Sequence, residues 1–191
     1  LTNELGFKIM KFETSSGGGF MSYHHPFDIG GIFLPIAKKC EANGQVMVMD
    51  IGSPGMESFQ PEAVRKIAKE CPALKVVVCH LLAPTLKDRD TGIVEESLKM
   101  LALDNVWFDL SAVPFNVSPE KYPYPTGLHY INIAKEIAGA DKLMWGTDIP
   151  SVLTANSYKQ LTEYISEDNT FTEEEKEKIY YKNALEVYPF L

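Results

Sequence analysis

The sequence predicts an α/β protein in which βα units repeat around a parallel sheet. Three observations carry that expectation. Short β-branched or apolar runs alternate with longer stretches of helical period. The runs are almost continuously apolar, as strands buried on both faces must be. Four of the five runs end in a charged residue or a histidine.

Taken in chain order, the candidate strands are Gly6 to Phe12, Gln45 to Ile51, Leu74 to Cys79, Asn105 to Leu110 and Lys142 to Trp145. Between them, helical period marks Ile32 to Asn43, Pro61 to Glu70, Gly92 to Leu103 and Leu128 to Ala138, with turn signals such as Asn43-Gly44, Pro72 and Gly139 at their ends. Two further helices are expected, Ser157 to Ile165 and Thr172 to Val187. Thr172 followed by Glu175 is a capping box. The units share architecture but no sequence repeat, and no Pro/Ser linker divides them, so residues 1–191 read as a single domain.

The composition, 45% hydrophobic and 23% charged, suits a globular chain. The longest apolar runs, Val46 to Met49 and Lys75 to Cys79, are a few residues long, whereas a transmembrane helix needs about 20. A membrane-spanning helix is therefore not expected. A net charge of −8, a pI near 5.0 and the lack of a Lys/Arg stripe argue against nucleic acid as a partner. Cys40, Cys71 and Cys79 are an odd number in a chain large enough to build its own core, so no disulfide framework is implied and a cytoplasmic location is expected. Leu1-Thr2-Asn3-Glu4 is neither a start methionine nor a signal peptide, which leads us to expect further sequence upstream.

The polar residues at the strand ends carry the functional reading. Val46-Met47-Val48-Met49 ends in Asp50, Val76-Val77-Val78-Cys79 in His80, Val106-Trp107-Phe108 in Asp109, and Leu143-Met144-Trp145-Gly146-Thr147 in Asp148. If the strands close as a (β/α) barrel, these four converge at the carboxyl face, where such barrels place metal ligands and general acids or bases. Period 2 puts Val76, Val78 and His80 on one face and Val77 and Cys79 on the other, against the helices. Cys79 is then a buried filler rather than a nucleophile paired with His80. The same alternation groups Asp109 with Trp107 and Ser111, and leaves Val106, Phe108 and Leu110 to the helices. A single strand-end aspartate is also a common cap or turn residue, a reading that weighs on Asp50 and more on Asp109. Asp148 is stronger, because Gly146 permits close backbone approach and Pro150 stops the strand.

Ser15 to Gly19, followed by Tyr23, His24 and His25, comes just after the first strand. It reads either as a flexible connection with surface histidines or as a lid that brings Tyr23, His24 or His25 to substrate. Lys11 and Glu13 end that first strand. Either can face the pocket, where Lys11 would pair a substrate carboxylate.

The phrases Pro72 to His80, Asn105 to Ser111 and Ala140 to Pro150, with Thr172 to Ile179 and Asn183-Ala184 after them, resemble the amidohydrolase-related branch of the amidohydrolase superfamily. That branch includes aminocarboxymuconate-semialdehyde decarboxylases and pyrone-dicarboxylate lactonases. The resemblance implies a (β/α)8 TIM barrel, here incomplete, about strands four to eight with a C-terminal helical extension. It implies His80 as acid/base or oxyanion stabiliser and Asp148 as metal ligand or general base, and from its strand-end position Asp50 is the candidate second metal ligand. Lys11, Tyr23, His24, His25 and Asp109 would contact substrate. The implied cofactor is a divalent metal, zinc first. The family's opening His-x-His is missing from these residues, however, and Asp50 stands where many metal-dependent members have histidine, as in lactonase-like members that work without metal.

The expected activity is hydrolysis of a C–O or C–N bond, or decarboxylation, of a small carboxylated substrate. The alternative is an inactive barrel remnant that serves as a binding or assembly module. In either case five strands of eight leave open edges, to be covered by a second copy or a partner segment.

Overall fold

The structure, a computed structural model, describes residues 5–15 and 29–189. Five strands form one sheet in strict chain order, all parallel: β1 (Ile9–Glu13), β2 (Val46–Asp50), β3 (Lys75–Val78), β4 (Val106–Asp109) and β5 (Leu143–Met144). The crossovers carry α1 (Ile29–Ala42), α2 (Pro61–Glu70), α3 (Ile93–Leu101), the short α4 (Val113–Asn116) and α5 (Pro125–Ala138). α6 (Tyr158–Glu163), α7 (Glu173–Glu177) and α8 (Asn183–Val187) follow the last strand. Every expected strand is present but shorter, and Glu13, Asp50 and Asp109 stay in the ladder as the last residues of β1, β2 and β4.

The alternation of each strand separates two cores. Met47, Met49, Val76, Val78, Val106, Phe108 and Leu110 pack against helix residues such as Val64, Ile67, Leu98 and Ile131. The alternate residues Val46, Val48, Val77, Cys79, Trp107 and Met144 line the other, inner face, and Val187 of α8 closes that smaller cluster. Consecutive helices α1, α2, α3 and α5 pack side by side, as they must when parallel strands follow one another in order. The expected division of β4 holds, with Trp107 on the inner face and Val106, Phe108 and Leu110 against helices.

Local chemistry explains the element ends. α2 begins with Pro61, has Glu62 in its first turn and Lys69 in its last, and buries Val64 and Ile67. The Thr172 capping box forms as expected, with Glu175 N–H on Thr172 Oγ1 at 3.2 Å and Thr172 N–H on Glu175 Oε2 at 2.8 Å. The segment expected as one helix, Thr172 to Val187, is instead α7 and α8 joined by a π turn at Lys178–Lys182. The wider turn re-aims the chain. Ile179 O accepts Trp145 N–H at 2.8 Å, and Asn183 Nδ2 donates to Ala140 O at 2.7 Å and Leu143 O at 2.8 Å. The C-terminal helices thereby cover the outer edge of β5.

Cys40, Cys71 and Cys79 are free and buried. No helix among the described residues is long and apolar enough to cross a membrane.

At the end of the sheet remote from the strand-end carboxylates, Asn105 Nδ2 reaches Ala68 O, Cys71 O and Leu74 O at 2.9–3.0 Å, tying α2 to the starts of β3 and β4. Asn105→Ala is expected to lower stability by about 1–3 kcal/mol, since it strands buried carbonyls. The check is a lower urea midpoint with unchanged m value; an unmoved midpoint would show that the three carbonyls do not depend on this amide.

Candidate active site

The strand-end side chains meet on the inner face because the backbone of β3 breaks its period. Val76 and Val78 face the helices while Val77 and Cys79 face inward, which corrects the expected parity: Cys79 is an inner-face residue. Uninterrupted alternation would send His80 outward. Instead His80, Leu81, Leu82 and Ala83 all take left-handed φ, at 58°, 53°, 68° and 45°. This conformation costs roughly 1–2 kcal/mol per non-glycine residue. Leu81 and Leu82 are fully buried, and that packing holds the turn in place. Sequence gave no sign of it, since none of the four residues is glycine.

So turned, His80 is gripped at both ring nitrogens. Nε2 lies 3.0 Å from Asp50 Oδ2, and Nδ1 lies 2.9 Å from Ser111 Oγ and 3.2 Å from Ser111 O. A carboxylate and a carbonyl can only accept, so the arrangement favours a proton on each nitrogen. Burial opposes that charge, but the hydrogen bond and charge of Asp50, helped by Asp109 and Asp148, raise the His80 pKa above 6.5. Asp50 is the counterpart. Burial works against its charge, yet hydrogen bonds from His80, Glu13 and Gly52 N–H (3.0 Å) hold its carboxyl down at about 2. Glu13 pairs with Asp50 in the β1–β2 register and shares a hydrogen bond with it; burial and that bond raise Glu13 above the ordinary carboxylate range. Gly52 sits at φ 74° with Met56 and Ser15 where a Cβ would project, so no side chain fits beside this Asp50 contact.

The remaining expected residues are placed as follows. Lys11, in register with Val48, shares the inner face with Glu13 and is exposed. Burial lowers its pKa, but Cys79, Asp50, Asp109 and Asp148 together raise it. Asp109 turns its Oδ1 onto Ser111 N–H. Asp148 is exposed at left-handed φ of 60°, takes the Ser151 hydroxyl at 3.3 Å, and does not belong to the Asp50–His80 cluster, although its charge is felt at His80 and Lys11. Tyr23, His24 and His25 lie outside the described residues. The sequence reading did not single out Glu13's bond to Asp50, Ser111's grip on His80, or Asn116. The first two come from pairs distant in sequence. A cavity of about 360 Å³ opens above these groups, lined by Ser15, Asp50, Gly52, His80, Thr85 and Asn116, and the Asn116 amide nitrogen is buried without a hydrogen-bond partner among the described residues.

Asp50, Cys79 and His80 present one donor atom each within 4.8 Å of one another, a grouping that a divalent ion could use. Metal ligands must be deprotonated. Here His80 is favoured as the doubly donating cation, and burial among Val46, Val77 and Trp107, with Asp109 nearby, pushes the Cys79 thiol far up. As hydrogen-bonded here, the three donors form a proton network, and an ion at this point would have to displace the proton that His80 Nε2 shares with Asp50.

Strand order, helices on one face and polar residues at the carboxyl ends define a (β/α)8-type protein. The Amidohydrolase family matches residues 2–190, and the chain belongs to it. Solved structures agree. An amidohydrolase from Burkholderia multivorans superposes with TM-score 0.79 at 17% identity, covering 95% of this chain and 64% of that one; a second crystal form of it is described with bound zinc. A structure assigned as a 2-pyrone-4,6-dicarboxylic acid hydrolase from Pseudomonas putida gives TM-score 0.67 at 16% identity, covering 98% and 65%. A TIM-barrel protein from Bordetella bronchiseptica gives 0.65 at 21%, covering 98% and 59%. At these identities the likeness establishes the fold. The chain spans less than two thirds of the length of these structures. No curated protein matches it.

The Asp50–His80 pair gives stability a defined pH window. His80 titrates above its ordinary 6.5 and Asp50 near 2 instead of 3.8, so the pair's contribution is complete between those ordinary values. It fades as pH rises through the raised His80 pKa and as pH falls toward 2. The Tm gap between the protein and His80→Gln is therefore expected to be widest near pH 5–6 and to narrow on the alkaline side. A gap constant from pH 5 to 10 would contradict the charged pair.

Proposed function

We propose that the chain forms the catalytic part of a lactonase-like hydrolase that opens a C–O bond in a small carboxylated substrate. The observation that carries this reading is a histidine gripped at both ring nitrogens, by Asp50 and by Ser111, on the wall of a cavity at the carboxyl ends of parallel strands. When water adds to an ester carbonyl, negative charge gathers on the carbonyl oxygen. A fixed imidazolium stabilises that charge and supplies the proton that the departing alkoxide needs. Asp50 keeps His80 charged and oriented. Asp148, exposed at the same end, is the candidate to take the proton from water, and Lys11 is the counter-charge for a substrate carboxylate. The P. putida likeness supports a cyclic ester as the first substrate class to try.

In this reading the five strands are strands four to eight of an eight-stranded barrel, which agrees with the 64% share of the Burkholderia chain that is covered. β1 is then an internal strand of the whole barrel. Further βα units or a second copy would cover its edge, where Leu5, Phe7 and Ile9 are exposed. Three free, buried cysteines support a reducing, cytoplasmic setting.

The test is turnover of 2-pyrone-4,6-dicarboxylate and smaller carboxylated lactones. The protein is expected to hydrolyse at least one, and His80→Gln and Asp148→Asn are each expected to lower kcat/KM by about 100-fold or more. Full turnover in both variants would overturn the assigned roles. No turnover of any lactone by the unaltered protein would favour the reading as a binding or assembly module.

A further inference from the structure

We infer that Ser111 is the positioning residue for His80, and that Asp109 acts on the site through Ser111 rather than by touching substrate. The inference rests on the reading of His80 given above and adds residues that it does not use.

His80 opens the left-handed turn at φ 58° and ψ 24°. A residue in this conformation has few local contacts to fix its side chain, and two backbone torsions of His80 have left the strand wells. Whatever aims the imidazole must come from the neighbouring strands. β2 supplies Asp50 at Nε2. β4 supplies Ser111 at Nδ1, with both its hydroxyl (2.9 Å) and its carbonyl (3.2 Å). Two acceptors from one residue define the ring plane as well as its position, which a single contact does not do.

Ser111 is itself held. It lies past the end of β4, is 5% exposed, and its backbone N–H is taken by Asp109 Oδ1. That turn presents both the carbonyl and the hydroxyl of Ser111 toward His80. The next strand end leaves room for it: a Cβ on Gly146 would lie 3.1 Å from Ser111 Cβ and 3.3 Å from Asp109 Oδ1. Contacts at that distance force one neighbour to move. Three strand ends are thus linked in series, Gly146 giving space to Ser111, Asp109 bracing it, and Ser111 orienting His80. This accounts for the small residue before Thr147-Asp148 and for the aspartate that ends β4.

Histidine-¹⁵N spectra of the full chain test the inference without any substrate. The His80 signals are identified by their loss in His80→Gln, which separates them from the other three histidines. In the unaltered protein at pH 6, both His80 ring N–H groups are expected to be visible and slow to exchange with water. In Ser111→Ala the Nδ1–H is expected to shift or vanish by exchange, and Ser111→Thr, which keeps the hydroxyl, to restore it. Gly146→Ala is expected to perturb the same signal and serves as the test if Ser111→Ala fails to fold by circular dichroism. With whichever lactone the protein turns over, Ser111→Ala is expected to lower kcat at least about 10-fold with KM within about twofold. A His80 spectrum unchanged in Ser111→Ala, or in Gly146→Ala where that is the folded variant, overturns the inference. Retained turnover in His80→Gln overturns instead the reading on which it rests, so the two failures are distinguishable.

Discussion

The contact between His80 and Asp50 is the constraint around which the carboxyl face of this barrel is arranged. Both groups are largely removed from water, and each would be costly to bury charged without the other. Together, with Gly52 N–H on the carboxylate and Ser111 on the far ring nitrogen, they form a network in which each group has its hydrogen-bond partners. Glu13 extends the network to β1 through its hydrogen bond with Asp50, and burial together with that bond raises the Glu13 carboxyl above its ordinary range.

The fold makes this network possible by dividing its work between the two faces of one sheet. The helix-facing core is large and uniformly apolar, and the stability of the domain resides there. The inner face is a short apolar cluster, with Val187 below and charged groups above. The buried carboxylate and imidazole therefore sit at the rim of a low-polarity floor, which strengthens their mutual attraction. The Cys79 thiol belongs to that floor. It is chemically muted by the burial that makes the network effective.

Much of the architecture was legible in sequence because parallel strands and their helices carry different periods. All five strands were located, as were the Thr172 capping box and the apolar division of β4. The phrases around His80, Asp109 and Asp148 pointed to the family that the whole chain matches. What escaped were features with no local signature. Four successive left-handed residues without a glycine cannot be read from propensity; they keep His80 at the inner face, as expected, although Val76 and Val78 face the helices and Cys79 lies inward. The π turn at Lys178–Lys182 follows from what Trp145 and β5 require, not from the helix's own residues. Ser111 and Glu13 take part only through partners 31 and 37 positions away, a relation that spacing along a chain does not show.

The most direct measurement is the pKa of His80 by NMR titration, in the protein and in Asp50→Asn. The account predicts a value above 6.5 in the unaltered protein, falling when the Asp50 charge is removed. A His80 that titrates at or below 6.5 and does not respond to Asp50→Asn would contradict the cationic site on which the proposed chemistry depends.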